Sequence, residues 1–296
     1  MAILQDTLLE FESEEVTLSP QPLFDLHSHT TASDGLLSSA ELVSRAVEMG
    51  VTTLAITDHD TTAGIPAARR AIVEQELELE LIAGVEISTL WENHEIHIVG
   101  LNVDIDSAEL QTLLSEQVTR RQARAKEIAL RLEKARIPGA LEGATRIADG
   151  AEITRGHFAR YLVEQGYATN VGGVFKHYLA RGKTGYAPPQ WCTIEEAIVA
   201  IHHAGGQAVV AHPGRYQLSN KWLKRLLADF KNWGGDAMEV AQCQQAPNER
   251  SQLTAYALQF GLLASQGSDF HQPCAWIELG RKLWLPTGVE PVWRDW

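Results

Sequence analysis

Histidines and carboxylates of this 296-residue chain cluster directly after short apolar runs, where they could hold metal ions. The first cluster is Asp25-Leu26-His27-Ser28-His29. In extended backbone His27 and His29 point to the same face, because side chains alternate with a period of two. One strand can then offer two imidazoles to one ion, although a single His-x-His is a weak indication by itself.

Further candidate ligands recur where other apolar runs end. The carboxyl ends of the strands form the face on which barrel enzymes build their sites. Six of the eleven histidines belong to this set, which is hard to explain by isolated core histidines. We therefore predict a site for more than one ion. Its nine candidate ligands are His27, His29, Asp34, His59, Glu86, His97, His212, Asp269 and His271.

The elements that must position these residues alternate along the chain. Apolar, β-type runs are predicted strands at 23–26, 53–57, 81–87, 95–101, 207–211, 236–240 and 262–266. Predicted helices lie between several of them, including Ser39–Met49 before Gly50 and a helix that begins with a capping box at Thr193 and Glu196. Strand–helix alternation predicts a parallel sheet, and about seven strands favour an α/β barrel over an open sheet.

One stretch interrupts the alternation. Residues 105–185 contain 13 basic and nine acidic residues, a local charge of +4, and 107–136 is a predicted long helix. We predict a basic helical insertion over 105–185, a barrel over 23–104 and 186–296, and an acidic N-terminal tail over 1–22.

Composition limits the classes of partner and compartment. The net charge of −13 argues against non-specific coating of nucleic acid, which needs clustered Lys and Arg. Three cysteines, Cys192, Cys243 and Cys274, have no metal-finger spacing and are predicted to be buried thiols. No secretory leader or membrane span is visible, so we expect a cytoplasmic protein with no membrane or protein partner.

The nine candidate ligands, with Asp58-His59-Asp60 and His212-Pro213, resemble the motif set of the PHP (polymerase and histidinol phosphatase) superfamily. This resemblance implies a distorted seven-stranded (β/α) barrel with a site for two or three metal ions. The segments 30–35 (TTASDG), 91–95 (WENHE), 154–158 (TRGHF) and 244–250 (QQAPNER) further resemble the RNase AM family of bacterial PHP enzymes. Members of that family are 5′-3′ exoribonucleases, also described as 3′,5′-nucleoside bisphosphate phosphatases.

The resemblance also implies how the nine ligands divide among the ions. It places them in three groups: His27, His29, Glu86 and Asp269; then His97 and His212 with Glu86 as a bridge; then Asp34, His59 and His271. Many relatives have a histidine at the position of Asp34, so the third site is expected to be weaker. Ligand type alone leaves Mn²⁺, Zn²⁺ and Fe²⁺ open, and the resemblance favours Mn²⁺.

The resemblance implies cleavage of the P–O3′ bond by a hydroxide that bridges two ions, held by Glu86 and Asp269. The substrates would be 5′-monophosphorylated RNA, as in ribosomal RNA processing, and 3′,5′-bisphosphorylated nucleotides. The sequence shows neither a nucleophile elbow nor a P-loop, in keeping with such a mechanism. Asp60 and His271 are both conceivable as the acid for the leaving oxygen.

Basic residues in and near the insertion could bind the substrate. We hypothesise that Arg155, His157, Lys183 and Arg215 anchor the 5′-phosphate, because guanidinium and ammonium groups are the usual phosphate ligands. The long predicted helix carries a basic run that we interpret mainly as a solvated face, part of which could guide RNA. This run consists of Arg120, Arg121, Arg124, Lys126, Arg131, Lys134 and Arg136.

Three other classes compete with an RNA-directed phosphoesterase. A metal-dependent amidohydrolase would be expected to carry a bridging lysine where Glu86 stands. A small-molecule phosphatase of the histidinol-phosphatase type is less compatible with a basic insertion. A non-catalytic PHP scaffold would be expected to have lost ligands, and none of the nine is missing.

Overall fold

The computed structural model describes residues 22–296, so the predicted acidic tail lies outside the described residues except for Pro22. The strands are β1 (Phe24–Asp25), β2 (Thr53–Ile56), β3 (Glu80–Trp91), β4 (His94–Leu101), β5 (Cys192–Thr193), β6 (Gln207–Val210), β7 (Ala237–Ala241) and β8 (Leu263–Gln266). The helices are α1 (Ser39–Glu48), α2 (Ile65–Glu74), α3 (Ala108–Lys134), α4 (Ala140–Ala148), α5 (Arg155–Glu164), α6 (Val171–Val174), α7 (Ile194–His203), α8 (Asn220–Asn232) and α9 (Pro247–Phe260). A π-helical turn (Phe175–Leu179) follows α6, and a 3₁₀ turn (Pro213–Tyr216) precedes α8.

The strands form one sheet in the order β1-β2-β3-β4-β6-β7-β8, with the two-residue β5 paired to β3. Backbone contacts bring the two ends of this sheet together: Ser28 forms a bridge with Phe270, and the amide of Leu26 donates to the carbonyl of Gln266. The sheet is therefore a nearly closed barrel, which confirms the predicted fold class. Each of the seven predicted strands has a counterpart.

The prediction of a wholly parallel sheet is wrong for β4. This strand runs antiparallel to both β3 and β6, because the hairpin at Glu92 and Asn93 turns the chain directly back with φ values of 47° and 64°. The reversal places the first half of β4 beside the last half of β3, and His97 pairs with Ser88. His97 therefore reaches the carboxyl edge of the barrel from the interior of its strand.

Local capping places the helices as the sequence predicts. The Thr193 hydroxyl accepts from the amide of Glu196 at the start of α7, and the Glu196 carboxylate accepts from the Thr193 amide, which completes the capping box. Gly50, with a φ of +78°, follows α1 and ends it. Within residues 22–296, no helix is both long and apolar enough to cross a membrane.

Residues between β4 and β5 are helical and pack around a core of their own. Phe158, Leu162 and Val174 are fully buried there, apart from the larger core between the sheet and its outer helices. Helix α3 belongs to both cores: Leu110 packs in the barrel core, and Leu132 packs among the later helices. It is therefore the physical connection between the two parts.

Candidate metal centre and cavity

Glu86 lies fully buried at the carboxyl edge of the barrel, in the middle of a histidine cluster. Its two carboxylate oxygens lie 2.8–3.4 Å from ring nitrogens of five histidines: His27, His29, His59, His97 and His212. These side chains come from the ends of β1, β2 and β6 and from β4. A single carboxylate thus contacts ligand candidates from most of the barrel mouth.

Two further carboxylates complete the cluster. Asp269 Oδ1 lies 3.4 Å from His27 Nε2, 3.2 Å from His29 Nε2 and 3.6 Å from His271 Nδ1. Asp34 Oδ1 lies 3.3 Å from His271 Nε2, and 3.8 Å separates it from His59 Nε2. The structure therefore brings all nine predicted ligands together, in overlapping groups whose ligand atoms lie within 4.8 Å of one another.

The cluster has the properties of a cation site. Buried polar atoms are normally hydrogen-bonded. In residues 22–296, however, several buried atoms of the cluster make no hydrogen bond, among them His27 Nε2, His29 Nε2, Asp34 Oδ1 and Glu86 Oε2. Imidazole nitrogens and carboxylate oxygens that converge in this way suit divalent transition-metal ions. The residues present therefore fit the metal ions that the sequence predicts.

Charge balance within the protein cluster favours ionised carboxylates. Burial disfavours the charge of Glu86, but the surrounding histidines, led by His97, hold its pKa well below the usual range. Burial, together with the neighbouring His271, lowers the pKa of His29 to about 3. Burial also opposes the charge of His271, yet Asp34 and Asp269 raise its pKa to about 9.

Three residues at the same edge have an unusual backbone conformation. Asp60, His212 and Asp269 have φ values of 52°, 28° and 54°, a region that residues other than glycine rarely adopt. Each of the three lies two to four residues after the end of a strand (β2, β6 or β8), where the chain turns. Such strain persists only where surrounding contacts hold it, and it is typical of functional sites.

A cavity of about 710 Å³ lies between the cluster and helices α3, α5 and α6. Part of its wall is apolar, with Ile128, Val171 and Phe175 among the lining residues. Five guanidinium groups also line it: Arg121, Arg124, Arg155, Arg160 and Arg215. One space therefore contains both a candidate cation cluster and several guanidinium groups of the kind that bind anions.

Glu95 holds two of these arginines in place. Its carboxylate lies 2.7 Å from Arg124 Nη1 and 3.1 Å from Arg155 Nη2, and it accepts from Trp191 Nε1 at 2.9 Å. Burial opposes the charge of Glu95, but Arg155 and Arg124 hold its pKa well below the usual range. Glu95 and His97 are two residues apart on β4 and share a face, so about 7 Å separates them along the strand.

Asp60 does not have the contacts expected of an acid. Its Oδ1 accepts from the Ser88 amide at 2.8 Å and from Gln117 Nε2 at 3.1 Å, and its Oδ2 pairs with Arg121. The residue is 1% exposed and is absent from the cavity lining. A carboxylate with both oxygens engaged by N–H donors orients those donors, so our prediction of Asp60 as the acid is not supported.

Of the four predicted anchors, only Arg155 and Arg215 line the cavity. Arg215 pairs with Asp269 at the metal-cluster end. His157 is buried, burial lowers its pKa to about 4, and its Nδ1 accepts from the Thr154 amide, so it caps α5. Lys183 is exposed and outside the cavity lining. The anchor prediction is therefore not supported for His157 and Lys183.

Sequence reasoning missed the buried arginines of α3. Arg121 and Arg124 lie 7% and 8% exposed, although the basic run was predicted to be mainly solvated. Both stack against Trp191, with their guanidinium carbons 5.0 Å and 5.2 Å from the ring centre. The helical phase of the two arginines indicates this burial. Arg121 and Arg124 continue the spacing of the buried residues Leu110, Leu114, Gln117, Ile128 and Leu132. Arg160, which donates to the Asp34 carbonyl, was also missed.

The thiols have no contact with the ligand atoms among the described hydrogen bonds. Cys192 and Cys243 are buried as predicted, and burial raises the pKa of Cys243 to about 11. Cys274 is partly exposed and lines the cavity, so the prediction of a buried thiol is wrong there.

Comparison with known proteins now defines the family. The family model described as "PHP domain" matches residues 25–187. The chain belongs to the PHP family. Phosphoesterases of this family are metal-dependent, and the expectation of a hydrolase is confirmed.

Similar proteins extend the match over almost the whole chain. The chain is 69% identical over 274 residues to the 5′-3′ exoribonuclease Rnm of Salmonella typhimurium, covering 93% of this chain and 94% of that protein. It is 39% identical over 273 residues to the 3′,5′-nucleoside bisphosphate phosphatase of Chromobacterium violaceum, covering 92% and 95%. A solved structure from Chromobacterium violaceum, described as an amidohydrolase with bound sulfate and no metal, matches with a TM-score of 0.87 and 39% identity, covering 92% and 95%.

Proposed function

We propose that this protein is a metal-dependent phosphoesterase that cleaves the P–O3′ bond at the 5′ end of RNA and in 3′,5′-nucleoside bisphosphates. The observation that carries this proposal is the cavity that joins the candidate metal cluster, seven of whose nine members line it, to arginines held by Glu95. The exoribonuclease and the bisphosphate phosphatase among its relatives support the same two substrates. The cellular role we propose is cytoplasmic maturation of RNA 5′ ends, ribosomal RNA included.

One bond accounts for both activities. Removal of the 3′-phosphate from a 3′,5′-bisphosphate breaks the P–O3′ bond, and release of a 5′-mononucleotide from the 5′ end of RNA breaks the same bond. The two substrates differ only on the far side of the phosphorus, where RNA carries its next nucleotide. A site that binds the 5′-phosphate and places the next phosphorus at the metal cluster can therefore act on both substrates.

The nine clustered side chains would hold the ions, with Glu86 central to the first two sites and Asp34, His59 and His271 forming a third. Bound divalent ions would activate water and neutralise phosphoryl charge, chemistry for which Mn²⁺ is our preferred candidate. Asp34 supplies an oxygen to the third group, which favours a harder ion there.

The protein's own cations would position the substrate. We assign the 5′-phosphate to Arg124 and Arg155, which both pair with Glu95, two residues before His97 on β4. Arg215, paired with Asp269, lies where the scissile phosphate would meet the cluster. Arg121 is held by Asp60 in the cavity wall. In this proposal residues 105–185 act as an inserted subdomain that supplies the anchor.

The competing classes account for fewer of these observations. An amidohydrolase would be expected to have a bridging lysine where Glu86 lies, and Glu86 is the centre of this cluster. A histidinol-phosphatase-type enzyme has no need for the arginines held by Glu95 in addition to the metal cluster. A non-catalytic scaffold has no reason to retain all nine ligands around unpaired buried atoms.

The test uses metal-stripped protein reloaded with Mn²⁺, assayed on 5′-monophosphorylated RNA, on a 3′,5′-nucleoside bisphosphate and on histidinol phosphate. We expect release of 5′-mononucleotide from the first two, dependent on reloading, and little hydrolysis of the third. Absence of 5′-mononucleotide from both nucleotide substrates would refute the proposal. Preferential hydrolysis of histidinol phosphate would favour the small-molecule alternative.

A further inference from the structure

Glu239 is a buried carboxylate in β7 that touches two of the candidate metal ligands without belonging to the nine. It is 1% exposed and is the only charged residue of its strand. Its Oε1 lies 2.6 Å from His27 Nδ1, and its Oε2 accepts from the His212 amide at 2.6 Å. Oε2 also accepts from Gln242 Nε2 at 2.8 Å. Sequence reasoning overlooked this residue, although a lone carboxylate in an apolar strand was a signal.

The contact with His27 determines which ring nitrogen can bind a cation. A carboxylate is an acceptor, so the nitrogen that faces it carries the proton, and this nitrogen is Nδ1. In the neutral ring, which is the form that ligates an ion, the other nitrogen, Nε2, then has the free lone pair, and it faces Glu86 Oε1 and Asp269 Oδ1 at 3.4 Å each. Carboxylate–histidine contacts of this kind fix the tautomer and orientation of ligating histidines.

The contact with His212 acts on the backbone instead. His212 has a φ of 28°, outside the regions that non-glycine residues favour. Its amide donates to Glu239, and its ring Nε2 lies 2.9 Å from Glu86. The hydrogen bond therefore helps to hold the turn that aims the His212 ring at the cluster. One side chain of β7 contacts ligands that follow β1 and β6.

We propose that Glu239 is a positioning residue that keeps the Nδ1–H tautomer of His27 and the strained turn at His212, and so sets the affinity of the cluster for its first divalent ion. This inference rests on the metal ligation proposed above. Glu239 lies behind the ligands, away from the cavity lining, so its effect reaches the substrate only through the metal site.

The substitution Glu239→Gln tests this with almost no change of shape. An amide replaces one acceptor oxygen by an NH₂ donor, and that donor must face either the His212 amide or His27 Nδ1. The backbone amide of His212 can only donate, whereas the imidazole can move its proton to the other nitrogen. The amide NH₂ should therefore face His27 and favour the Nε2–H tautomer, which cannot ligate an ion.

Asp25→Asn is a matched control. Asp25 is likewise fully buried, and its oxygens accept from the backbone amides of Ser268 at 2.8 Å and Gly280 at 2.9 Å. The same replacement therefore leaves a donor facing a donor in the barrel. Asp25 also contacts the backbone of His27, but it touches no ligand ring. Metal-free wild type and both variants are compared by circular dichroism before any ion is added.

The experiment measures the dissociation constant for the first Zn²⁺ and Mn²⁺ by competition with a chelating dye. It also records ¹⁵N histidine spectra of the Zn²⁺-loaded protein, in which His27→Asn assigns the His27 signals. We expect about 10–100-fold weaker binding in Glu239→Gln, a change below about threefold in Asp25→Asn, and a proton on His27 Nδ1 only in proteins with Glu239.

Unchanged affinity in Glu239→Gln, or an equal loss in both variants, would overturn the inference. A proton on Nε2 of His27 in the Zn²⁺-loaded wild type would overturn it without any Glu239 variant, and therefore even if that variant fails to fold. If the wild type itself binds no divalent ion, the proposed metal ligation fails instead, so the two failures are distinguishable.

Discussion

The carboxyl edge of the barrel and the helices α3–α6 contribute to one cavity in different ways. The barrel edge presents short side chains from strand ends, and these are buried and fixed by neighbours such as Glu86 and Glu239. The helices pack around a separate core and extend long arginines into the same space. In our account, the barrel edge performs the chemistry and the helices recognise the substrate.

Two buried ion pairs join these parts. Arg121 of α3 pairs with Asp60 after β2, and Arg124 of the same helix pairs with Glu95 of β4. Both guanidinium groups also stack on Trp191, which precedes β5. Each of these contacts can be broken by a single substitution.

The largest effect is expected at the barrel edge. Glu86→Gln should reduce hydrolysis of RNA and of a 3′,5′-bisphosphate equally, by at least about 10³-fold, because it weakens the negative centre of the cation cluster. Steady-state assays at saturating Mn²⁺ measure this. Glu80→Gln, at the exposed start of the same strand, is the control and should retain activity. Loss on only one substrate would contradict a shared site.

The next effect concerns the connection between the two parts. Asp60→Asn should lower the free energy of unfolding by about 3–5 kcal/mol, because it leaves Arg121 buried without its charged partner. Glu164→Gln breaks the exposed pair with Arg146 and should cost about 0–1 kcal/mol. Urea denaturation compares the two variants. Similar values for both would show that the buried pair does not hold α3 to the barrel.

Removal of one anchor should affect substrates selectively. Arg155→Ala should reduce activity about 10–100-fold on substrates with a 5′-phosphate, since a hydrogen bond to a charged group contributes about 1.5–3 kcal/mol. Substrates without a 5′-phosphate should change little. Arg146→Ala, an exposed arginine of α4, is the matched control. Equal losses on both kinds of substrate would remove Arg155 from the anchor.

The smallest effect is expected on the outer face of α3. Lys126 and Lys134 are exposed, so Lys126→Ala and Lys134→Ala should each change RNA cleavage by less than about threefold and leave bisphosphate hydrolysis unchanged. Assays between low and moderate salt detect any role in guiding RNA, because phosphate contacts release counterions. If either variant flattened the salt dependence of RNA cleavage, the surface that recognises RNA would extend beyond the cavity.

The sequence predicts well which histidines and carboxylates meet at the barrel edge, and it predicts the arginines of the cavity poorly, for physical reasons. A histidine such as His59 after an apolar strand is informative, because the carboxyl ends of barrel strands meet at one face. The side chain of a helical arginine can turn to solvent or into a cavity, so Arg121 and Arg124 are identified only by their helical phase. The reversal of β4 depends on the two-residue turn after Trp91, whose consequence for His97 appears only once the sheet is assembled.

The most direct test of this division of labour is diffraction from crystals containing Mn²⁺ and a nucleoside 5′-monophosphate, with data recorded at the manganese absorption edge. We predict anomalous peaks among the nine clustered side chains and the 5′-phosphate on Arg124 and Arg155. Manganese outside the cluster, or a 5′-phosphate bound away from both arginines, would contradict the account.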